Sequence, residues 1–143
     1  MNTHPYKEHT ICTPGEPAAQ PRARVTTVGG RARAYVHSKH PVHAYRLLIA
    51  AYWKSHVGIR HDGPLRVSID LTFAKPKSAK RVHHTVRPDA SNCAKAVEDA
   101  LNGVAWNDDS QIVELIVRKH YGVPMTTVRV EPLDASKPLT NQE

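Results

Sequence analysis

The chain has 143 residues, 40% of them hydrophobic, with eleven prolines and a formal net charge of +7. That length suits one domain with a proper core, and no run approaches the eighteen apolar residues of a membrane span. The opening "MNTHPYKEHT" lacks the apolar stretch of a secretory signal, so a cytoplasmic protein with no membrane partner is expected.

In chain order, β-rich stretches are predicted at 8–13 ("EHTICT") and 23–28 ("ARVTTV"), the second following the proline-rich "PGEPAAQP". Cys12 in the first stretch and Cys93 further on form no C-x-x-C pair and are read as reduced, structural thiols. "SKHPVHAYRLLIAAYWKSH" predicts a helix from Ser38 with Pro41 in its first turn and a buried stripe of Val42, Tyr45, Leu48, Ile49, Tyr52 and Trp53. "LRVSIDLTF", residues 65–73, alternates apolar and polar without a break and predicts a half-buried strand. The basic loop "AKPKSAKRVHHTVRP" follows.

A second helix is expected from Asn92 to Asn102, with Gly103 as its stop. Cys93, Ala94, Val97, Ala100 and Leu101 share its apolar face, and Asn92, Lys95 and Asp99 lie opposite. "QIVELIVRKHYG" predicts a strand buried along Val113, Leu115 and Val117, and "MTTVRVE" a last one. Residues 132–143 have the composition of a disordered tail, leaving one domain over 1–131. This order implies an α+β (mixed α/β) domain, a small sheet covered by two main helices.

Charge is unevenly spread. Pro17 to His61 holds no acid, and from Gly63 to Pro88 the only one is Asp70, against Arg66, Lys75, Lys77, Lys80, Arg81 and Arg87. Such clustering is the footprint of a polyphosphate binder, and nucleic acid is the expected partner. Yet six of the thirteen carboxylates fall between Asp89 and Glu114, with Lys95 the only Lys or Arg among them. Carboxylates gathered in a basic protein suit a shared hard cation such as Mg²⁺, with Asp89, Asp108 and Asp109 as ligands and Lys95 placed to steady extra charge on a phosphodiester under attack. Taken singly, each acid also reads as a turn or solvated helix residue. Asp89 and Asp109 flank the helix and cannot meet through it. They could meet if the next strand ran back beside it, or if Trp106 and Asn107 folded over it.

The stretch "RPDASNCAKAVEDALNGVAWNDDSQIVEL" resembles the signature of the RusA family of Holliday junction resolvases, common in phages. That signature runs from a basic residue to D-x-D-N, a lysine three residues on, D-A-L-N-G, and D-D before Q-[IV]. "PRAR" at Pro21–Arg24 and "PLRVSIDLTFAKPKS" at Pro64–Ser78 are similar to other family segments, so the resemblance covers about Gly15 to Gly122. It implies a homodimeric, Mg²⁺-dependent endonuclease, Mn²⁺ substituting, that nicks four-way DNA junctions in symmetric pairs. It places catalysis on Asp89, the position of Ser91, Lys95 and Asp109, with Asn92 beside the DNA. Arg22, Arg24, Lys75, Lys77, Lys80, Arg81 and Arg87 would then meet phosphates.

One position departs from the pattern. Ser91 stands where the family has the second Asp of D-x-D-N, which removes a charge that would balance the cation. A disabled enzyme (by natural or introduced change), an enzyme that works through Asp89 and Asp109, and a junction-binding protein without catalysis all fit, and Ser91 also reads as a helix N-cap. A protein partner docking on the acidic helix is a further reading.

Overall fold

Strict alternation along residues 65–73 calls for a sheet covered on one side only, and the computed structural model has that architecture. It describes residues 7–21, 24–35 and 37–140. In chain order the elements are β1 (His9–Pro14), β2 (Arg24–Val28), β3 (Arg31–Tyr35), α1 (Pro41–His56), β4 (Leu65–Phe73), α2 (Ala90–Leu101), a 3-10 turn (Asp109–Gln111), β5 (Ile112–Tyr121) and β6 (Met125–Pro132). The main sheet has the order β1-β6-β4-β5. β6 runs antiparallel to β1 and β4, and β5 runs parallel to β4. The class is α+β, as the element order implies.

Leu65, Val67, Ile69, Leu71 and Phe73 of β4 are buried with Ile11 of β1 and Val128 and Val130 of β6. Two helices cover this face. From α1 come Val42, Tyr45, Ile49 and Trp53, and from α2 Cys93, Ala94, Ala96, Val97, Ala100 and Leu101. Burying a side chain the size of Ile or Leu contributes roughly 1.5–3 kcal/mol, so this layer holds the domain. Burial also pushes the Cys93 thiol up to about 11, which suits a core residue and not a nucleophile. Among the described residues, no helix is long and apolar enough to cross a membrane.

In these elements the structure departs from the sequence expectations as follows. α1 begins at Pro41, not Ser38, because His40 caps it by accepting from the Val42 N–H. Leu48 is 40% exposed and Tyr52 is only half-buried, since four residues, Val42, Tyr45, Ile49 and Trp53, fill the contact with the sheet. β3 has no counterpart among the predicted elements: "RARAY" has no large apolar face and pairs only with β2. In β5, Val113 and Leu115 are exposed rather than buried. β5 is an edge strand, and an irregularity between Leu65 and Arg66 leaves Val113 outside the paired register. Beyond β6, the Leu133 N–H donates to Pro64 O, and Asp134 accepts from Ser136.

A packed imidazole pair, half-buried His9 against buried His61, makes the fold sensitive to acid. The rings of His9 and His61 lie 5.3 Å apart beside Trp53, and the buried atoms His9 Nδ1 and His61 Nε2 have no hydrogen-bond partner among the described residues. Burial holds both imidazoles below their ordinary range. Lys7 adds to this at His9, and His9 adds to it at His61, where Asp62 opposes. His84, stacked on Phe73, is lowered by burial and then by Lys119. The unfolded chain therefore takes up protons below about pH 6.5 that the folded chain refuses, so stability is complete above that pH and falls on acidification. The urea midpoint is expected to drop between pH 7 and pH 5, and a His61→Phe variant to show a shallower drop.

Candidate active site

The parallel pairing of β4 with β5 makes α2 a crossover, so the chain leaves β4 at one end of the sheet and enters β5 at the other. Asp89, which follows the basic loop, is the N-cap of α2. Asp108 and Asp109 come after its C-terminus, before β5. α2 has 12 residues, and a rise of ~1.5 Å each sets the two ends about 18 Å apart. β5 does run back beside α2, and Trp106 does fold back, bridging to Asn102 and His61. Neither brings the acids into one group: among the described residues, no three His, Cys, Asp or Glu side chains are grouped to hold a metal ion.

At the first end, Asp89 makes no side-chain capping hydrogen bond, although it occupies the cap position. The carboxylate is exposed and lines a cleft of about 760 Å³ with Arg87, Pro88, Asn92, Gln20, His40 and Pro41. Ser91 is not the cap. It is the second residue inside the helix and is exposed, because the helix starts at Ala90, earlier than the sequence suggested. Two contacts position this end. Lys119 Nζ donates to Val86 O and Pro88 O, each at 2.9 Å, and the Gln20 N–H donates to Asn92 O at 2.9 Å. Neither Lys119 nor Gln20 was singled out in the sequence, where nothing local links them to Asp89.

At the other end, buried Trp106 donates from Nε1 to Asp109 Oδ1 at 2.8 Å, which fixes that carboxylate and leaves Oδ2 for other partners. Gln111 ties the turn down, accepting from the N–H groups of Asn107 and Asp108 and donating to His61 O and Gly63 O. Asp108 uses its carboxylate on the turn itself. It accepts from the Ser110 hydroxyl and N–H, and the hydroxyl bond above all lowers its pKa. Asp109 is thus the better oriented acid of the pair toward any outside group.

Lys95 lies between the ends on the exposed arc of α2. Its ammonium is 3.0 Å from Asp99, one turn on. That hydrogen bond and charge hold it above its ordinary range, and Asp109 and Glu98 add to the effect. Glu98 is raised by burial first and by Asp109 second. Lys95 is therefore a fixed positive charge with Asp109 in its field. Asp99 is the positioning residue the sequence could have shown, through its i,i+4 spacing from Lys95.

The basic loop places Lys75, Lys77, Lys80 and Arg87 on the exposed surface. Arg81 is half-buried, its Nε donating to the Tyr121 hydroxyl at 2.7 Å. Arg22 lies outside the described residues. Arg24 opens β2, but its side chain lies outside them as well.

The model of the family described as "Endodeoxyribonuclease RusA" matches residues 14–131 of this chain. A protein of Bacillus subtilis (strain 168), named "Uncharacterized protein YqaN", is 30% identical over 139 residues, an alignment covering 85% of this chain and 94% of that protein. The matched span takes in β4, β5 and nearly all of β6, both helices and both ends of α2, and the chain belongs to the RusA family of endodeoxyribonucleases.

Proposed function

We propose that this protein cuts four-way DNA junctions by divalent-dependent phosphodiester hydrolysis, as a homodimer making paired nicks, with an activity weakened at Ser91. The observation that carries the reading is the pair of poised carboxylates, Asp89 without a capping bond and Asp109 held by Trp106, at the two ends of one basic-flanked helix within the family match. Hard carboxylate oxygens suit Mg²⁺ or Mn²⁺, and Mg²⁺ is commonly held by one or two carboxylates with waters and substrate phosphate completing the shell. The residues therefore fit such an ion, with Asp89 and Asp109 as the acids that would hold it.

When bound, the ion would neutralise charge on the scissile phosphate and activate water. The chain's own residues do the rest. Arg87, at the cleft rim, and the exposed lysines of the loop draw in the DNA backbone. Lys95, kept protonated by Asp99, stabilises the extra negative charge of the transition state. Asn92 offers a neutral side chain to the strand in the cleft.

The ~18 Å length of α2 bears on the assembly. One ion can use both acids if Asp89 of one copy and Asp109 of the other meet across a two-fold contact, and paired nicks need two such sites. An exposed apolar stripe on α1, formed by Ala44, Leu47, Leu48 and Ala51 at helical spacing, supports contact between copies. The test is nicking of a synthetic four-way junction and a linear duplex of the same sequence, in Mg²⁺ and in EDTA. Slow, Mg²⁺-dependent nicking confined to the junction is expected. Equal cutting of both substrates, or none with Mg²⁺ and Mn²⁺ alike, would overturn the reading.

A further inference from the structure

β2 and β3 form a ribbon that pairs with no strand of the main sheet. Gly29 and Gly30 close it with φ of +59° and +75°, the left-handed pair that a tight hairpin turn needs. Every side chain described between Val25 and Tyr35 is exposed. An isolated two-stranded hairpin is marginally stable in water, so a ribbon built this way acts by meeting something else.

The register shows what it presents. Arg31 is opposite Val28 and Arg33 opposite Thr26, which puts both arginines on one face with Tyr35. Val25, Thr27, Ala32 and Ala34 make up the other face. No carboxylate occurs from Pro17 to His61, so neither the ribbon nor its roots carry an acid. The roots also fix its place. Pro21 before the ribbon and His40 after it both line the cleft that holds Arg87, Asp89 and Asn92.

We propose that the β2–β3 hairpin is an arm that grips the phosphate backbone of one duplex arm of branched DNA as it enters the Asp89 cleft, with Arg31 and Arg33 each neutralising a phosphate. This rests on the DNA-cutting reading above and adds a separate binding element to it. Five residues at about 3.3 Å each give the ribbon a reach of roughly 17 Å, about five nucleotides of duplex. Complementary charge selects DNA over a second copy of the chain, because two such arms would repel each other on their arginine faces. The contacts are to phosphate, so the grip is independent of base sequence.

The experiment compares the wild-type chain with Arg31→Ala/Arg33→Ala and Arg31→Lys/Arg33→Lys, binding a four-way junction in EDTA across a salt series. The alanine form should lose about two from the slope of log K against log salt and bind about tenfold more weakly near 0.2 M salt. The lysine form should keep the slope, and the melting temperature should not move, since neither side chain touches the core. Wild-type chain that fails to bind the junction would sink the DNA-cutting reading and the arm with it. Salt-dependent wild-type binding matched by the alanine form would overturn the arm alone, as would a double variant that loses only self-association.

Discussion

Asp89→Asn and Asp109→Asn should each abolish nicking of a four-way junction, and mixing the two inactive proteins should restore cutting. The single variants are expected to lose at least about a thousandfold in rate, roughly 4 kcal/mol of transition-state stabilisation. Asparagine keeps the shape and removes the charge, so junction binding and melting temperature should stay near wild type. The mixture is the informative part. If one ion uses Asp89 of one copy and Asp109 of the other, a mixed dimer holds one intact site and one doubly damaged site, and it makes single nicks. If both acids served an ion within one copy, no site in the mixture would be whole. The placing of the two acids before and after α2, at opposite ends of the crossover, favours restored single nicks. A silent mixture, with exchange of subunits verified, would refute the shared site while leaving the family chemistry standing.

The legible parts of this fold are those set by local periodicity. The unbroken alternation of β4 located its strand to the residue, and of the arc opposite the core face of α2, Asn92 and Lys95 are exposed and Asp99 is half-buried. Where a long-range choice decides, the sequence was silent. Nothing in "QIVELIVRKHYG" says that its strand runs parallel to β4 at a sheet edge, so the exposure of Val113 and Leu115 could not be read from it. The hairpin had one signal, the Gly29–Gly30 pair between two short runs, but "RARAY" lacks the apolar alternation that would have confirmed a strand.

The candidate site shows the same division. Asp89, Lys95 and Asp109 stand out by residue type and spacing, and the resemblance covers them all. Their supports come from distant chain segments. Lys119 holds the backbone before Asp89 from β5, and His61 and Gly63 anchor Gln111 beneath Asp109. Ser91 as helix cap was a local inference and failed for a local reason: Asp89 and Ala90 begin the helix two residues sooner.

Since Ser91 does not cap α2, replacing it costs no capping bond, and an aspartate there enters the exposed first turn of the helix, where the positive end of the helix dipole favours an acid. Ser91→Asp should therefore leave the melting temperature unchanged or slightly raised, and it supplies a second carboxylate at the Asp89 end. Divalent-dependent nicking should rise on the order of a hundredfold, about 2.7 kcal/mol in the barrier. Half-saturation with Mg²⁺ should also move to lower concentration, because an anionic ligand replaces a neutral hydroxyl. The two effects should appear together. A rise in affinity for the ion without faster nicking would mean that chemistry is limited elsewhere, with Lys95 or the approach of Asp109 the place to look. If neither quantity moves, Ser91 is a tolerated residue in a site that Asp89 and Asp109 already complete, and the weakening assigned to it is wrong.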